Sequence, residues 1–249
     1  MLPTAGFLAL IFAAAAVLHG MVGIGFTLIP TSVLALQMDM KEAVALTVLP
    51  MLLINTLSMI TGGAVLPILR RYTLLAVMSV AGSFIGVKLL LVLPSAWLQL
   101  ALALLIMLYV LSALSQNTFR LPEKHTVTAL FGLLAGIIGG ATNAMSSVLM
   151  MYLLARSSDK NEIAQAGNLC FALAKVVQVI MLWPLLQQMA VPPSLLIWPS
   201  IVAVAALFVG IWLRKRIPFV RFRQLSLAIL SILALMMIYK SFNTLLPAV

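Results

Sequence analysis

HGMVGIGFTLIPTS (19–32) and AGIIGGATNAMSS (135–147) are two versions of one passage, with Gly20 aligned on Gly136 and Gly23 on Gly139. Each lies inside an uninterrupted apolar segment, 3–36 and 126–155. About 20 residues suffice for a helix to span a bilayer, so both segments are too long for one simple crossing. Each has glycines clustered at its centre: Gly20, Gly23 and Gly25, then Gly136, Gly139 and Gly140. A glycine costs roughly 1 kcal/mol in a helix interior, and Pro30 adds a break in the first copy. The passage therefore predicts an interrupted helix, either one bent span or two half-helices that enter and leave on the same side.

The repetition extends outward. Asp39-x-x-Glu42 returns as Asp159-x-x-Glu162, and the spacing from Gly86 to Pro94 returns from Gly210 to Pro218. Apolar segments fall near 3–36, 43–69, 72–93, 95–115, 126–155, 161–187, 194–213 and 222–246. The chain reads as two four-segment halves, 1–118 and 119–249, within one membrane domain, a build common among transporters.

Composition sets the solvent. Of 249 residues 64% are hydrophobic and 8% charged, against about 25% charged in a soluble domain. So few charges cannot clothe a water-facing surface, so lipid must surround most of the chain. The apolar runs are continuous and do not alternate, which excludes a barrel and predicts an all-α integral membrane protein. The net charge of +10 lies mainly in short loops, as orientation signals do, with no basic and aromatic interleaving to suggest nucleic acid. The one cysteine, Cys170, has no partner for an internal disulfide. The first basic residue is Lys41, so the start lacks the positive region of a cleavable signal.

Loop charge favours one topology. If all eight segments span, Arg70, Arg71, Arg120 and Lys124 oppose Lys41, Arg156, Lys160, Arg214, Lys215, Arg216, Arg221 and Arg223. If the first segment of each half is re-entrant, all of these but Lys41 share a face, and only Lys88 and Lys240 join Lys41 on the other. The positive-inside rule selects the second arrangement: inverted repeats, with both termini on the outer side of the membrane.

Asp39 and Asp159 read as helix N-caps with an acid three residues on. The functional candidates lie at the interruptions, where half-helix N-termini present free N–H groups and a partial positive charge suited to anions. They are Gly23, Gly25, Thr27 and Thr31 in the first half, and Gly139, Gly140, Asn143, Ser146 and Ser147 in the second. Close helix packing by small residues is the plainer alternative. Lys175 stands mid-segment, where a lysine costs about 2.5–3.5 kcal/mol to insert, so a partner or an aqueous path is expected. Asn55 is its counterpart in the first half; Gln178 lies one helical turn from Lys175 and Asn168 two turns away. His19 adjoins the first glycines and is a candidate proton site, or a hydrogen-bonded structural residue.

None of the five acids lies within an apolar core. The buried carboxylates common in proton- and sodium-coupled transporters are therefore missing, whereas outward movement of an anion is driven by the membrane potential itself. An intramembrane enzyme would need a nucleophile and base, or paired acids; the histidines are His19 and His125, the latter in a loop, so no catalytic residue is assigned. No metal site and no cofactor is expected. A membrane scaffold without substrate remains an alternative, though packing alone does not require interrupted repeats.

The stretches GMVGIGFTLIP (20–30), Asp39 to Thr47, GLLAGIIGG (132–140), NEIAQAGNLCFALAK (161–175) and the Gly210-to-Pro218 spacing resemble, in order, the TauE/SafE sulfite exporter family of membrane permeases. The resemblance covers nearly the whole chain. The family's second glycine-rich stretch often leads to a proline, where this chain has Asn143 to Ser147. The resemblance implies a secondary transporter in a bacterial inner membrane. It would export sulfite or a small organosulfonate such as sulfoacetate, with import of a similar anion as the alternative. Its partners would be that small sulfur-containing anion and membrane lipid.

Overall fold

The computed structural model describes residues 3–22, 26–114, 121–122, 124–214, 216 and 219–245. Gly23, Gly25 and the expected boundary between halves at 118/119 lie outside them. The described residues form ten helices: α1 (Ala5–Val22), α2 (Leu28–Ala35), α3 (Met40–Thr61), α4 (Val65–Val92), α5 (Ser95–Leu114), α6 (His125–Thr142), α7 (Met145–Arg156), α8 (Lys160–Gln188), α9 (Pro193–Arg214) and α10 (Phe219–Leu245). Seven of them, α3 to α6 and α8 to α10, are long and apolar enough to cross a membrane. The protein is an all-α multi-pass membrane protein.

Two of the long helices open on matching caps. The Asp39 side chain accepts from the Lys41 N–H at 2.8 Å and opens α3. Asp159 accepts from the Asn161 N–H at 2.8 Å and opens α8 in the same way. α3 ends at Gly62 and Gly63, the latter at φ +133, which side-chain-bearing residues seldom adopt. α4 then begins at Val65, so Leu69, Arg70 and Arg71, expected in a loop, lie within its first turns. The non-helical backbone of Tyr72 marks a kink just after them. The basic residues at the opposite end of the bundle do structural work. Lys41 donates to the Leu91 carbonyl (2.9 Å) and Lys240 to those of Ala35 and Leu36 (2.9 and 3.0 Å). Both satisfy carbonyls that helix C-termini leave open.

Packing comes in crossed sets: α1 runs along α9 and α6 along α4, while α3 packs on α8 and α5 on α10. α4 and α6 run parallel, because Gly132 faces Leu75, Gly136 faces Ser79 to Ser83, and Gly140 faces Ser83 to Val87. A Cβ on Gly136 would fall on the Ser79 carbonyl oxygen, and one on Gly82 would fall on that of Leu133. These glycines let two backbones touch, as small residues do between membrane helices. The glycines of the second passage therefore sit inside a continuous α6 and do not interrupt it. The interruption comes after them, at Asn143 (φ 63) and Ala144. Asn is among the few residues that adopt the left-handed conformation readily.

Gly20 meets Leu207, Gly210 and Ile211 of α9 as Gly140 meets Ser83, Gly86 and Val87 of α4. Gly136 meets Ser79, Gly82 and Ser83 at the same spacing, so these contacts suit Gly20 aligned on either glycine.

α6 and α7 fold back on each other. Tyr152, near the end of α7, hydrogen bonds Thr128 in the first turn of α6 at 2.7 Å and packs on Phe131. α7 has 12 residues, about 18 Å of helix, against an apolar thickness of about 30 Å. The outside of the bundle is apolar, with Leu10, Val92, Ile180 and Tyr239 among its most exposed large residues. The inside holds His19, Thr31, Thr47, Asn55, Asn143, Lys175 and Gln178, all buried. An oily exterior around a polar centre suits lipid as the solvent.

Candidate functional site

The left-handed turn at Asn143 aims its side chain into the centre of the bundle. Asn143 Nδ2 donates to Thr31 Oγ1 at 2.9 Å and to Thr47 Oγ1 at 3.1 Å. Its Oδ1 accepts from Lys175 Nζ and from Gln178 Nε2, the latter at 3.1 Å. One amide therefore joins α2 and α3 to α8. Lys175 Nζ also donates to Gln178 Oε1, one turn along α8. Gln178 Nε2 reaches the carbonyls of Gly139 and Gly140, both at 3.0 Å, which fixes the end of α6. The two glycines thus enter the centre through their carbonyls, while their missing side chains serve packing.

The charge of Lys175 has no counter-charge beside it. Asp39, Glu42, Asp159 and Glu162 all stand at helix starts. The salt bridge among the described residues joins Arg71 to Glu162 at 2.6 Å, at the end of the bundle. Lys175 is 4% exposed and its partners are neutral amides. A buried cation in this state is stabilised by whatever anion can reach it.

Two helix N-termini point into the same centre. α7 begins at Met145 after Ala144, which offers no capping side chain; the Ser147 N–H is taken by the Ala144 carbonyl at 3.1 Å, and those of Met145 and Ser146 are the ones a helix start leaves open. α2 begins after Thr27, whose side chain caps nothing and whose buried Oγ1 has no hydrogen-bond partner. Ser146 Oγ is likewise buried without a partner, whereas Ser147 Oγ is occupied by the Ala144 carbonyl at 2.6 Å. Thr31 Oγ1 donates to the Thr27 carbonyl and accepts from Asn143.

A second polar cluster lies nearer the other hairpin. The Phe26 N–H donates to His19 Nδ1 at 3.1 Å, so the ring proton sits on Nε2, which donates to Ser58 Oγ at 2.9 Å. Asn168 lies against the same ring and donates to the Ala164 carbonyl at 2.8 Å. Both ring nitrogens are thus occupied in holding the α1–α2 turn against α3. Asn55, one turn from Ser58, is fully buried, and neither its Oδ1 nor its Nδ2 has a hydrogen-bond partner. An amide left so costs about 1–3 kcal/mol, which marks a place for a polar visitor.

The structure therefore gathers Thr31, Asn143, Lys175, Gln178 and the carbonyls of Gly139 and Gly140 into one hydrogen-bonded centre. His19 and Asn168 form a second cluster, and Thr27, Asn55 and Ser146 are buried polar side chains with unused capacity. Two members were not singled out from the sequence, Thr47 and Ser58. The signal for Ser58 was present: the offset that pairs Asn55 with Lys175 also pairs Ser58 with Gln178. Thr47 gave only the weaker signal of a hydroxyl within an apolar run. Among the described residues no group of His, Cys, Asp and Glu could hold a metal ion.

Comparison with known proteins adds one finding. The family described as Sulfite exporter TauE/SafE matches residues 7–237, nearly the whole chain. No curated protein and no solved structure matches.

Proposed function

The chain belongs to the TauE/SafE sulfite exporter family, a family of membrane transporters of sulfur-containing anions, and on that premise we propose that it exports sulfite or a small organosulfonate such as sulfoacetate through the centre around Lys175. The observation that carries the proposal is a buried cation whose partners among the described residues are neutral amides. A sulfonate or sulfite oxygen would take Lys175 as its counter-charge, with further donors from the start of α7, the start of α2, and Ser146 and Thr27. Asn143 and Gln178 hold the ammonium in place and can turn to the anion when it arrives. Asn55 offers the next stop along α3.

Two inverted repeats, 1–118 and 119–249, would supply the moving parts. Each contributes a hairpin of one longer and one shorter helix and three crossing helices. What supports this is the crossed packing, in which each hairpin's long helix lies parallel to a crossing helix of the other half. Basic residues at one end of the bundle, among them Arg70, Arg71, Lys124, Arg156, Lys160 and Arg214, support a cytoplasmic position for that end. The termini would then be periplasmic and the membrane a bacterial inner membrane. Rocking of one half against the other would open the centre to either side.

Without a carboxylate at the centre, the driving force is the membrane potential. It is worth about 2.3 kcal/mol per charge per 100 mV, or roughly a fifty-fold gradient of a monoanion. Purified protein in sulfite-loaded liposomes should release sulfite faster under an inside-negative potential than at zero potential. Equal release under both conditions would contradict the uncoupled mechanism, and uptake that exceeds release under that potential would mark an importer.

A further inference from the structure

Away from the centre, a cavity of about 480 Å³ opens where α4 and α6 begin and α7 ends. Its rim carries Arg70, Arg71, His125 and Arg156, with hydroxyls from Tyr72, Thr73, Thr128 and Tyr152. Its wall continues down α4 through Leu74 and Val77, one and two turns beyond Arg70. Val77 is 57% exposed on the lipid-facing outside of the bundle. Among the described residues the acid tied to this rim is Glu162, which is occupied by Arg71 (2.6 Å), Tyr72 (2.9 Å) and Ser157 (2.6 Å). That leaves Arg70 exposed and, among the described contacts, without a carboxylate. The N-terminus of α6, which no side chain caps at Lys124, adds partial positive charge to the same rim.

We propose that this cavity binds an anionic phospholipid, its phosphate held by Arg70, His125 and Arg156 and an acyl chain laid along Leu74 and Val77. The combination selects the ligand. A free oxyanion would use the cationic rim but has no use for the apolar exposed wall below it. A zwitterionic lipid would use the wall but gain less from the arginines of the rim. The position fits as well, since this is the end of the bundle rich in basic residues, where the cytoplasmic leaflet holds its anionic lipids. The lipid would brace the end of α7 against the start of α4 and so bear on the α6–α7 hairpin without entering the transport centre.

The test is native mass spectrometry of the full chain released from nanodiscs of phosphatidylcholine with or without phosphatidylglycerol. The expected result is retention of phosphatidylglycerol over phosphatidylcholine by about tenfold at equal abundance. Arg70→Gln and His125→Gln, both at exposed positions, should each cut that preference by at least about threefold while leaving the melting temperature in phosphatidylcholine unchanged. Millimolar inorganic phosphate should not displace the lipid. Equal retention of the two lipids, a preference untouched by both substitutions, or displacement by inorganic phosphate would each overturn the proposal, the last by showing a site for a free anion. Sulfite transport that stays at the wild-type rate in phosphatidylcholine keeps this outcome separate from the fate of the Lys175 site.

Discussion

Replacing Lys175 with methionine separates its part in transport from its part in the fold. Methionine keeps most of the volume and removes the charge. Removal relieves the cost of a lysine at membrane depth, about 2.5–3.5 kcal/mol. Against this, Gln178 Oε1 loses its lysine donor, an unsatisfied buried acceptor worth about 1–3 kcal/mol. Asn143 Oδ1 keeps the donor at 3.1 Å from Gln178 and is not orphaned. The opposing effects nearly cancel, so stability should change by no more than about 1–2 kcal/mol. At about 2–4 °C per kcal/mol for a chain of this size, the melting midpoint should move by less than about 8 °C. Transport should fare differently. The anion loses a charge-assisted hydrogen bond worth about 1.5–3 kcal/mol, or roughly ten- to a hundredfold in rate at 1.4 kcal/mol per decade. The assay is sulfite release from liposomes under an imposed potential, with fluorescence-detected chromatography as the check on folding. Wild-type transport by Lys175→Met would refute the reasoning. So would loss of the folded peak, since Lys175 would then be a structural residue.

Two further substitutions probe the supports of that lysine. Asn143→Gly and Asn143→Ala should both abolish most transport, because either removes the bridge from Thr31 and Thr47 to Lys175. The glycine variant should be the more stable by about 1–2 kcal/mol in thermal unfolding, since φ 63 strains alanine but not glycine. Gly136→Leu should leave little folded protein, because the side chain would meet α4 backbone, whereas Gly6→Leu should behave as wild type, nothing lying within 4 Å of its Cβ direction. Equal yields of these two variants on size-exclusion chromatography would contradict the close approach of α4 and α6.

How far the sequence revealed this arrangement depended on whether a residue's role was set by its near neighbours. Asp39 and Asp159 were legible as caps because a cap is made within one turn. Lys175 with Gln178 was legible because an inserted lysine is costly wherever it lies, and one turn of helix fixes what can reach it. The glycines were harder. A run such as Gly136, Gly139 and Gly140 is compatible with a break and equally with a close helix contact. What decides is the matching pair Gly82 and Gly86 on α4, distant in sequence. The break itself rests on Asn143, whose tolerance of the left-handed conformation is a single-residue property that no periodicity announces. Arg70 and Arg71 misled because two adjacent charges look like a loop, while at a membrane interface they suit the opening turns of a helix whose side chains reach water.

The most direct test of an anion centre at Lys175 is a structure of the protein soaked with selenite, a heavier relative of sulfite with the same pyramidal shape and charge. The account predicts anomalous density beside the Lys175 ammonium, within reach of Asn143 and the start of α7. Selenium density confined to the surface or to the Arg70 rim, with the Lys175 hydrogen bonds to Asn143 and Gln178 unchanged, would contradict it.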